Sequence, residues 1–208
     1  MIKITFFQGL YITLSTLGIL LVLLLLWILY YRNRFSKKHL TGAVSRKLYR
    51  YANINDYLLL NDYGILIDQK HVGEINHILV TNKYIVVIHD FSISGVVSGM
   101  FNDEHLKVVN KEGEKLIANP LNYNRNLTKR VALFNNLDST FLKGVVVINN
   151  DSFIDINDMP NQFKMCKKKD LLKVINEFEK DDVKPFKEKT VVDFINILNK
   201  NNIKGEKK

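Results

Sequence analysis

Two stretches of sequence, Glu74-Ile-Asn-His-Ile-Leu-Val-Thr81 and Tyr84-Ile-Val-Val-Ile-His89, decide the fold of this 208-residue chain. Both are almost continuously apolar, and only Asn82-Lys83 separates them, which predicts two buried strands joined by a tight hairpin. Strands without a polar face belong to a sheet that is covered on both sides. Helical periodicity at Phe35–Asn55 and again after Asn119-Pro120 therefore predicts a mixed α/β domain.

A run of 28 residues without any charge, Ile4–Tyr31, precedes this domain. About 20 apolar residues span a bilayer as a helix, and Trp27 and Tyr30 lie at the downstream end, where aromatic rings favour the membrane interface. The run is longer than the apolar part of a signal peptide and lacks its small-residue cleavage site. We expect a retained single-pass transmembrane helix at residues 10–31, after a short extracytoplasmic N-terminus at residues 1–9.

The basic residues set the expected orientation of this helix. The chain has 30 Lys and Arg against 21 Asp and Glu; eight of the basic residues are Lys3 and the seven from Arg32 to Arg50, and no acidic residue precedes Asp56. The positive-inside rule then places the N-terminus outside the cell membrane and the C-terminal domain in the cytoplasm. The residues expected to fix this topology lie in a basic juxtamembrane segment at 32–40 and are Arg32, Arg34, Lys37 and Lys38.

The rest of the chain is nearly neutral. Residues 51–208 hold 22 basic and 21 acidic residues, so the formal net charge of +9 indicates a membrane address more than the basic surface of a nucleic-acid-binding protein. The single cysteine, Cys166, excludes a disulfide framework and a zinc site built from cysteines.

Further local patterns predict the remaining elements. Short strands are expected at Tyr57–Leu60 and Ile65–Ile67 around a turn, and a peripheral meander is expected between Gly95 and Ala118. Asn119 can cap a second helix, because Pro120 fits the first helical position. Later elements are a strand at Lys143–Ile148, a short strand at Met165-Cys166, and helices at Lys169–Glu179 and Thr190–Asn201.

Five pieces of this sequence together resemble the nuclease-related domain (NERD) family, in family order and spacing. They are Gly73–Val80, Val86–His89, Gly95–Gly99, Asn119–Asn124 and Gly144–Ile148. The resemblance implies a PD-(D/E)xK nuclease-like core of the order α-β-β-β-α-β, expected at residues 41–180, followed by a C-terminal helix and basic tail at 181–208. In that family, acidic residues hold a divalent metal ion that, helped by a lysine, activates water for phosphodiester hydrolysis.

The chain departs from the family pattern at each of these catalytic positions. Asn76 stands at the Asp position, His89 at the Glu position and Phe91 at the Lys position. Glu74 is the residual candidate, because it lies two residues before Asn76 and strand alternation would place both on one face. One carboxylate, one amide and one imidazole are too few anions for a magnesium site, so no metal site and no small-molecule cofactor are expected.

The sequence therefore favours a membrane-anchored nuclease-like module of a bacterial cytoplasm that binds a partner and does not catalyse. The partner is the membrane together with a protein or DNA, and the basic residues of the second helix that could approach a phosphate backbone are Arg125, Lys129 and Arg130. The alternative is a Mg²⁺- or Mn²⁺-dependent nuclease whose site has moved to Glu74 with acids such as Asp68 or Asp103. A scaffold without a ligand is the third possibility.

Overall fold

The computed structural model describes residues 6–34, 36–66 and 72–204. The chain divides into two units, residues 1–39 and 40–208. The helices are α1 (Phe6–Arg34), α2 (Ser36–Asn55), α3 (Pro120–Phe134), α4 (Leu171–Glu179) and α5 (Glu188–Lys200). The strands are β1 (Leu58–Leu66), β2 (Val72–Val80), β3 (Ile85–Asp90), β4 (Val96–Met100), β5 (His105–Asn110), β6 (Gly113–Ala118), β7 (Leu142–Ile148), β8 (Phe153–Asn157) and β9 (Phe163–Lys167).

The N-terminal unit contains α1, a helix of 29 residues. In the described part of the chain, no helix meets the combined requirements of length and hydropathy for crossing a bilayer. The expected transmembrane segment at 10–31 lies within α1.

The C-terminal unit is built on a five-stranded sheet of order β1-β2-β3-β7-β9. Strands β1, β2 and β3 run antiparallel, whereas β7 runs parallel to both β3 and β9. The predicted hairpin is confirmed, and the α-β-β-β-α-β order is present as α2, β1, β2, β3, α3 and β7. All seven residues of β7 are buried, as expected for a strand in a sheet that is covered on both faces.

Helices cover the two faces of this central sheet. Helix α2 buries a stripe at helical spacing that packs with α4 against one face, and its members are Leu40, Val44, Leu48 and Ala52. Helix α3 packs on the other face through Leu127 and Val131, together with Leu198 of α5. At the start of α3, the Asn119 side chain accepts a hydrogen bond of 2.9 Å from the Leu121 backbone N–H, which confirms the predicted cap.

The predicted meander belongs to a second sheet, of order β6-β5-β4-β8. Its fourth strand, β8, pairs in parallel with β4 and was not expected from the sequence. The two short strands predicted around residues 61–64 are also wrong, because β1 runs without interruption from Leu58 to Leu66. Asp62 lies inside this strand with a left-handed φ of 54°, which bends the strand without ending it.

Cys166 is the only cysteine of the chain and lies in the core on β9. Its side chain belongs to the cluster that α2 and α4 form against the sheet. Burial raises the pKa of the thiol to about 12, so it stays protonated and unreactive.

Gly144 of β7 is required by the close approach of α3. An added Cβ would overlap Asn124 Oδ1 and the ring of Phe163, whereas Gly42 on α2 has open space at that position. We expect Gly144→Ala to lower the free energy of unfolding by about 1–3 kcal/mol through overpacking. Gly42→Ala is the matched control and should raise it by roughly 0.5–1 kcal/mol. Denaturant titration followed by circular dichroism measures both, and equal effects would contradict this account of Gly144.

Candidate functional site

The three family positions lie where β2 and β3 meet, and Asn76 is already engaged there. Asn76 Oδ1 accepts a hydrogen bond of 2.9 Å from the backbone N–H of Asp90. The amide oxygen that would replace a metal-binding carboxylate therefore holds the end of β3 in place. Phe91 continues the pairing of β3 with β7, because its backbone N–H donates to Val147 O at 2.8 Å.

His89 points to the face that α3 covers. Its ring centroid lies 5.0 Å from that of Tyr123 and 6.5 Å from that of Phe91. The Nδ1 atom is buried and has no hydrogen-bond partner in the described part of the chain. Burial lowers the pKa of His89 below its usual 6.5, although nearby Asp90 opposes the shift. The site therefore presents a neutral imidazole between two aromatic rings.

Asp90 points to the opposite face and forms a buried polar cluster with His77. His77 Nε2 lies 2.9 Å from Asp90 Oδ2, and both side chains are 1% exposed. The other ring nitrogen, Nδ1, lies 2.6 Å from Asn61 Oδ1 on β1. The sequence analysis does not predict this pairing of His77 with Asp90. An acidic residue at the end of a buried strand needs a polar partner. The histidine on the adjacent strand is the sequence feature from which this pairing could be predicted.

Glu74 does not join these residues. Its side chain is 69% exposed, and Oε1 forms an ion pair of 2.8 Å with Lys204 Nζ. The alternation that would place Glu74 beside Asn76 is broken, because Ile75 and Ile78, three residues apart, pack into the same cluster. The break faces Asp62, whose left-handed φ alters the same part of β1. The spacing argument for a shared face is therefore wrong.

The residues present do not fit a hard divalent metal ion. Mg²⁺ and Mn²⁺ prefer carboxylate oxygens, and the three positions offer an engaged amide, an imidazole and a phenyl ring. Within residues 6–34, 36–66 and 72–204, no three His, Cys, Asp or Glu side chains come together in a way that could hold a metal. Of the acids considered for a relocated site, Asp103 accepts a hydrogen bond from the Met100 N–H, and Asp68 lies outside the described residues.

Comparison with known proteins gives one match. The family model described as the nuclease-related domain matches residues 40–149, more than half of the chain. The chain belongs to the nuclease-related domain family. No curated protein and no solved structure matches it. The matched part of this nuclease-related domain includes α2 from Leu40, strands β1 to β7 and α3, and it ends before β8, β9 and the two C-terminal helices.

The basic residues of α3 in this nuclease-related domain have different surroundings. Arg125 donates to Asn102 Oδ1 at 2.8 Å and lies over the ring of Phe101, 5.1 Å from its centroid. Lys129 and Arg130 instead line an open groove of about 540 Å³. Leu133 and Phe134, which are 79% and 49% exposed, line the same groove. Arg125 is therefore held by the second sheet, and the outer surface of α3 is both basic and apolar.

The lowered pKa of His89 predicts a pH dependence of stability. Between the ordinary pKa of 6.5 and the lower folded value, the unfolded chain binds a proton that the folded chain does not. Because the unfolded state binds more protons in that window, the free energy of unfolding falls as the pH falls. The variants His89→Phe and His89→Gln have no imidazole to bind this proton, so both lack this contribution to the pH dependence of stability.

We expect the loss of stability between about pH 7 and pH 5 to be smaller in both variants than in the unsubstituted protein. Denaturant titrations at several pH values measure it. Parallel pH profiles for all three proteins would show that His89 is not buried as a neutral ring.

Proposed function

We propose that this protein is a membrane-anchored member of the nuclease-related domain family that binds a partner and does not hydrolyse nucleic acid. The observation that carries the proposal is the set of side chains at the family's catalytic positions. Asn76 holds a backbone N–H of β3, His89 is a half-buried ring whose pKa burial lowers, and Phe91 supplies no charge.

Hydrolysis of a phosphodiester by this kind of core depends on charges that are missing here. A metal ion must be held by anionic oxygens, and a cation must stabilise the phosphate. The nearest carboxylate along β3, Asp90, is directed to the other face and bound to His77. Glu74 pairs with Lys204 at the surface. Among the described residues, these arrangements leave the α3 face of the sheet without a carboxylate for a metal.

The membrane part of the proposal rests on the first 40 residues. The uncharged run Ile4–Tyr31 and the basic residues from Arg32 to Lys38 have the pattern of a single-pass anchor with an outside N-terminus and a cytoplasmic domain. All side chains from Leu14 to Ile28 are exposed, and nearly all of the large ones are aliphatic. Exposed aliphatic side chains of this kind are more stable in lipid than in water.

A protein partner is favoured over DNA by the outer surface of α3. Leu133, Phe134 and Tyr123 are large exposed side chains on one helix, and exposed apolar patches mark protein interaction sites. Arg125, the first of the three basic residues, is occupied by Asn102 and Phe101. We therefore place the protein-binding surface at the groove that contains Lys129, Leu133 and Phe134.

A cleavage assay tests the absence of catalysis. The full chain in mild detergent is incubated with plasmid DNA and with RNA in the presence of Mg²⁺ or Mn²⁺. We expect no metal-dependent cleavage, because the three positions cannot hold the ion. The matched variant is the triple alanine substitution of Glu74, Asn76 and His89.

Two results would contradict this expectation. Metal-dependent cleavage that disappears in the triple variant would show a working site at these positions. Metal-dependent cleavage that survives in the triple variant but disappears in Asp103→Ala would favour the relocated nuclease site.

Extraction of cell membranes tests the anchor. We expect the full chain to stay in the membrane pellet after washing with alkaline carbonate, which removes peripheral proteins, because the uncharged run Ile4–Tyr31 is long enough in sequence to be held by the lipid core. A variant that lacks residues 1–31 but keeps Arg32–Lys38 separates the helix from the basic segment. Release of the full chain by carbonate would contradict the proposed anchor.

A further inference from the structure

A second groove, here called the basic groove, lies between α2 and the start of α4. It has a volume of about 510 Å³ and contains five positively charged side chains, which are Arg46, Lys47, Arg50, Lys168 and Lys169. No acidic residue lines it, and its apolar walls are Ala43, Tyr51, Ile54 and Leu172. The basic groove is separate from the family positions, because α2 and α4 cover the face of the sheet opposite to α3.

Hydrogen bonds fix the two walls of the basic groove relative to each other. Lys47 Nζ donates to the backbone oxygens of Lys168 and Lys169, at 2.8 and 2.7 Å. Tyr51 OH donates to Asn176 Oδ1 of α4 at 2.6 Å. The side chain of Asn150 accepts from the Lys169 backbone N–H at 2.8 Å. The cations on α2 are therefore held at a constant separation from those that precede α4.

The charges of the basic groove are largely uncompensated. Arg46 and Arg50 lie one helical turn apart, a spacing at which like charges destabilise a helix. Among the described residues, Arg46 Nε donates to Gly42 O of its own helix, and Arg50 has no partner. The negative charge of Asp170 interacts with the Lys47 ammonium group. A site that holds like charges together, with one acid nearby, is suited to an anion with several oxygens.

The exposed stripe of α2 beside the basic groove indicates which anion this is. Arg46 and Arg50 alternate along the stripe with Tyr49 and Ile54, which are 60% and 82% exposed. Helices that lie at a membrane surface combine cations with exposed aromatic and aliphatic side chains in this way. A nucleic acid duplex instead needs cations that follow its backbone. Residues 51–163 hold 13 acidic and 9 basic residues, and this excess of negative charge disfavours a duplex as the ligand.

We propose that the basic groove binds the phosphate of an anionic phospholipid headgroup, with Tyr49 and Ile54 in contact with the lipid surface. This inference rests on the membrane address in the proposed function, because α2 begins two residues after the end of α1. The guanidinium groups of Arg46 and Arg50 donate to the phosphate oxygens. Lys168 and Lys169 add charge from the opposite wall, and Lys47 keeps the walls together.

Lipid titration of the full chain tests this assignment. The protein in maltoside micelles is titrated with short-chain phosphatidylglycerol and, separately, with short-chain phosphatidylcholine, and bound lipid is counted by native mass spectrometry. We expect saturable binding of phosphatidylglycerol that Arg46→Gln/Arg50→Gln weakens roughly tenfold or more. Lys111→Gln/Lys115→Gln removes the same charge from exposed positions far along the chain and should leave binding unchanged. Arg46→Lys/Arg50→Lys should restore part of the binding.

Three outcomes would overturn the assignment. The first is equal loss of binding in the two glutamine double variants, which would indicate a general charge effect. The second is binding of inorganic phosphate or glycerol phosphate as tight as that of the lipid, which would assign the groove to a free phosphate. The third is tighter binding of duplex DNA than of lipid. Circular dichroism checks that each variant is folded.

The failure of this inference is distinguishable from the failure of the proposed function. A chain that resists carbonate extraction and cleaves no nucleic acid, yet binds no phosphatidylglycerol, refutes the basic groove alone. A chain that carbonate releases, yet binds the lipid at Arg46 and Arg50, refutes the anchor alone.

Discussion

A buried carboxylate needs a partner, and the architecture of the central sheet depends on how Asp90 meets this need. A buried polar group without a partner costs free energy. Asp90 Oδ2 has its partner in His77 on the adjacent strand, which in turn contacts Asn61 on β1, whereas Oδ1 has no partner among the described residues. These three polar residues lie on three adjacent antiparallel strands, β1, β2 and β3. Because side chains alternate along β3, this pairing directs His89 to the other face, against Tyr123 of α3.

The same alternation determines the surroundings of Asn76, His89 and Phe91 in this nuclease-related domain. Asn76 supports the end of β3 through the Asp90 N–H, so the side chain at this family position has a structural role. Phe91 and His89 add apolar contacts where charge and water would be needed for hydrolysis. His89 and Phe91 are half-buried under α3, where the ring of His89 lies against that of Tyr123.

The sequence predicts the parts of this fold that depend on local periodicity. Apolar continuity predicts β2, β3 and β7, and helical spacing with Asn119 and Pro120 predicts α3. Strand β8 is not predicted, because Asp155 weakens its apolar pattern and its partner β4 lies 57 residues earlier in the chain. The substitutions at Asn76, His89 and Phe91 are readable from the family pattern. The exposed position of Glu74 cannot be predicted from residue spacing. Spacing assumes that side chains alternate regularly along β2, but this alternation breaks opposite Asp62, whose φ is left-handed.

The buried thiol of Cys166 has a consequence for how the molecule responds to its surroundings. With its pKa raised to about 12 and its side chain in the core, it has almost no thiolate for an oxidant or an alkylating agent to attack. Since the chain has no other cysteine, the folded domain is insensitive to changes of cellular redox poise. A cysteine introduced beside Arg50 or Leu133 would consequently be the one reactive thiol of the molecule, and a fluorophore attached there would report on that surface alone.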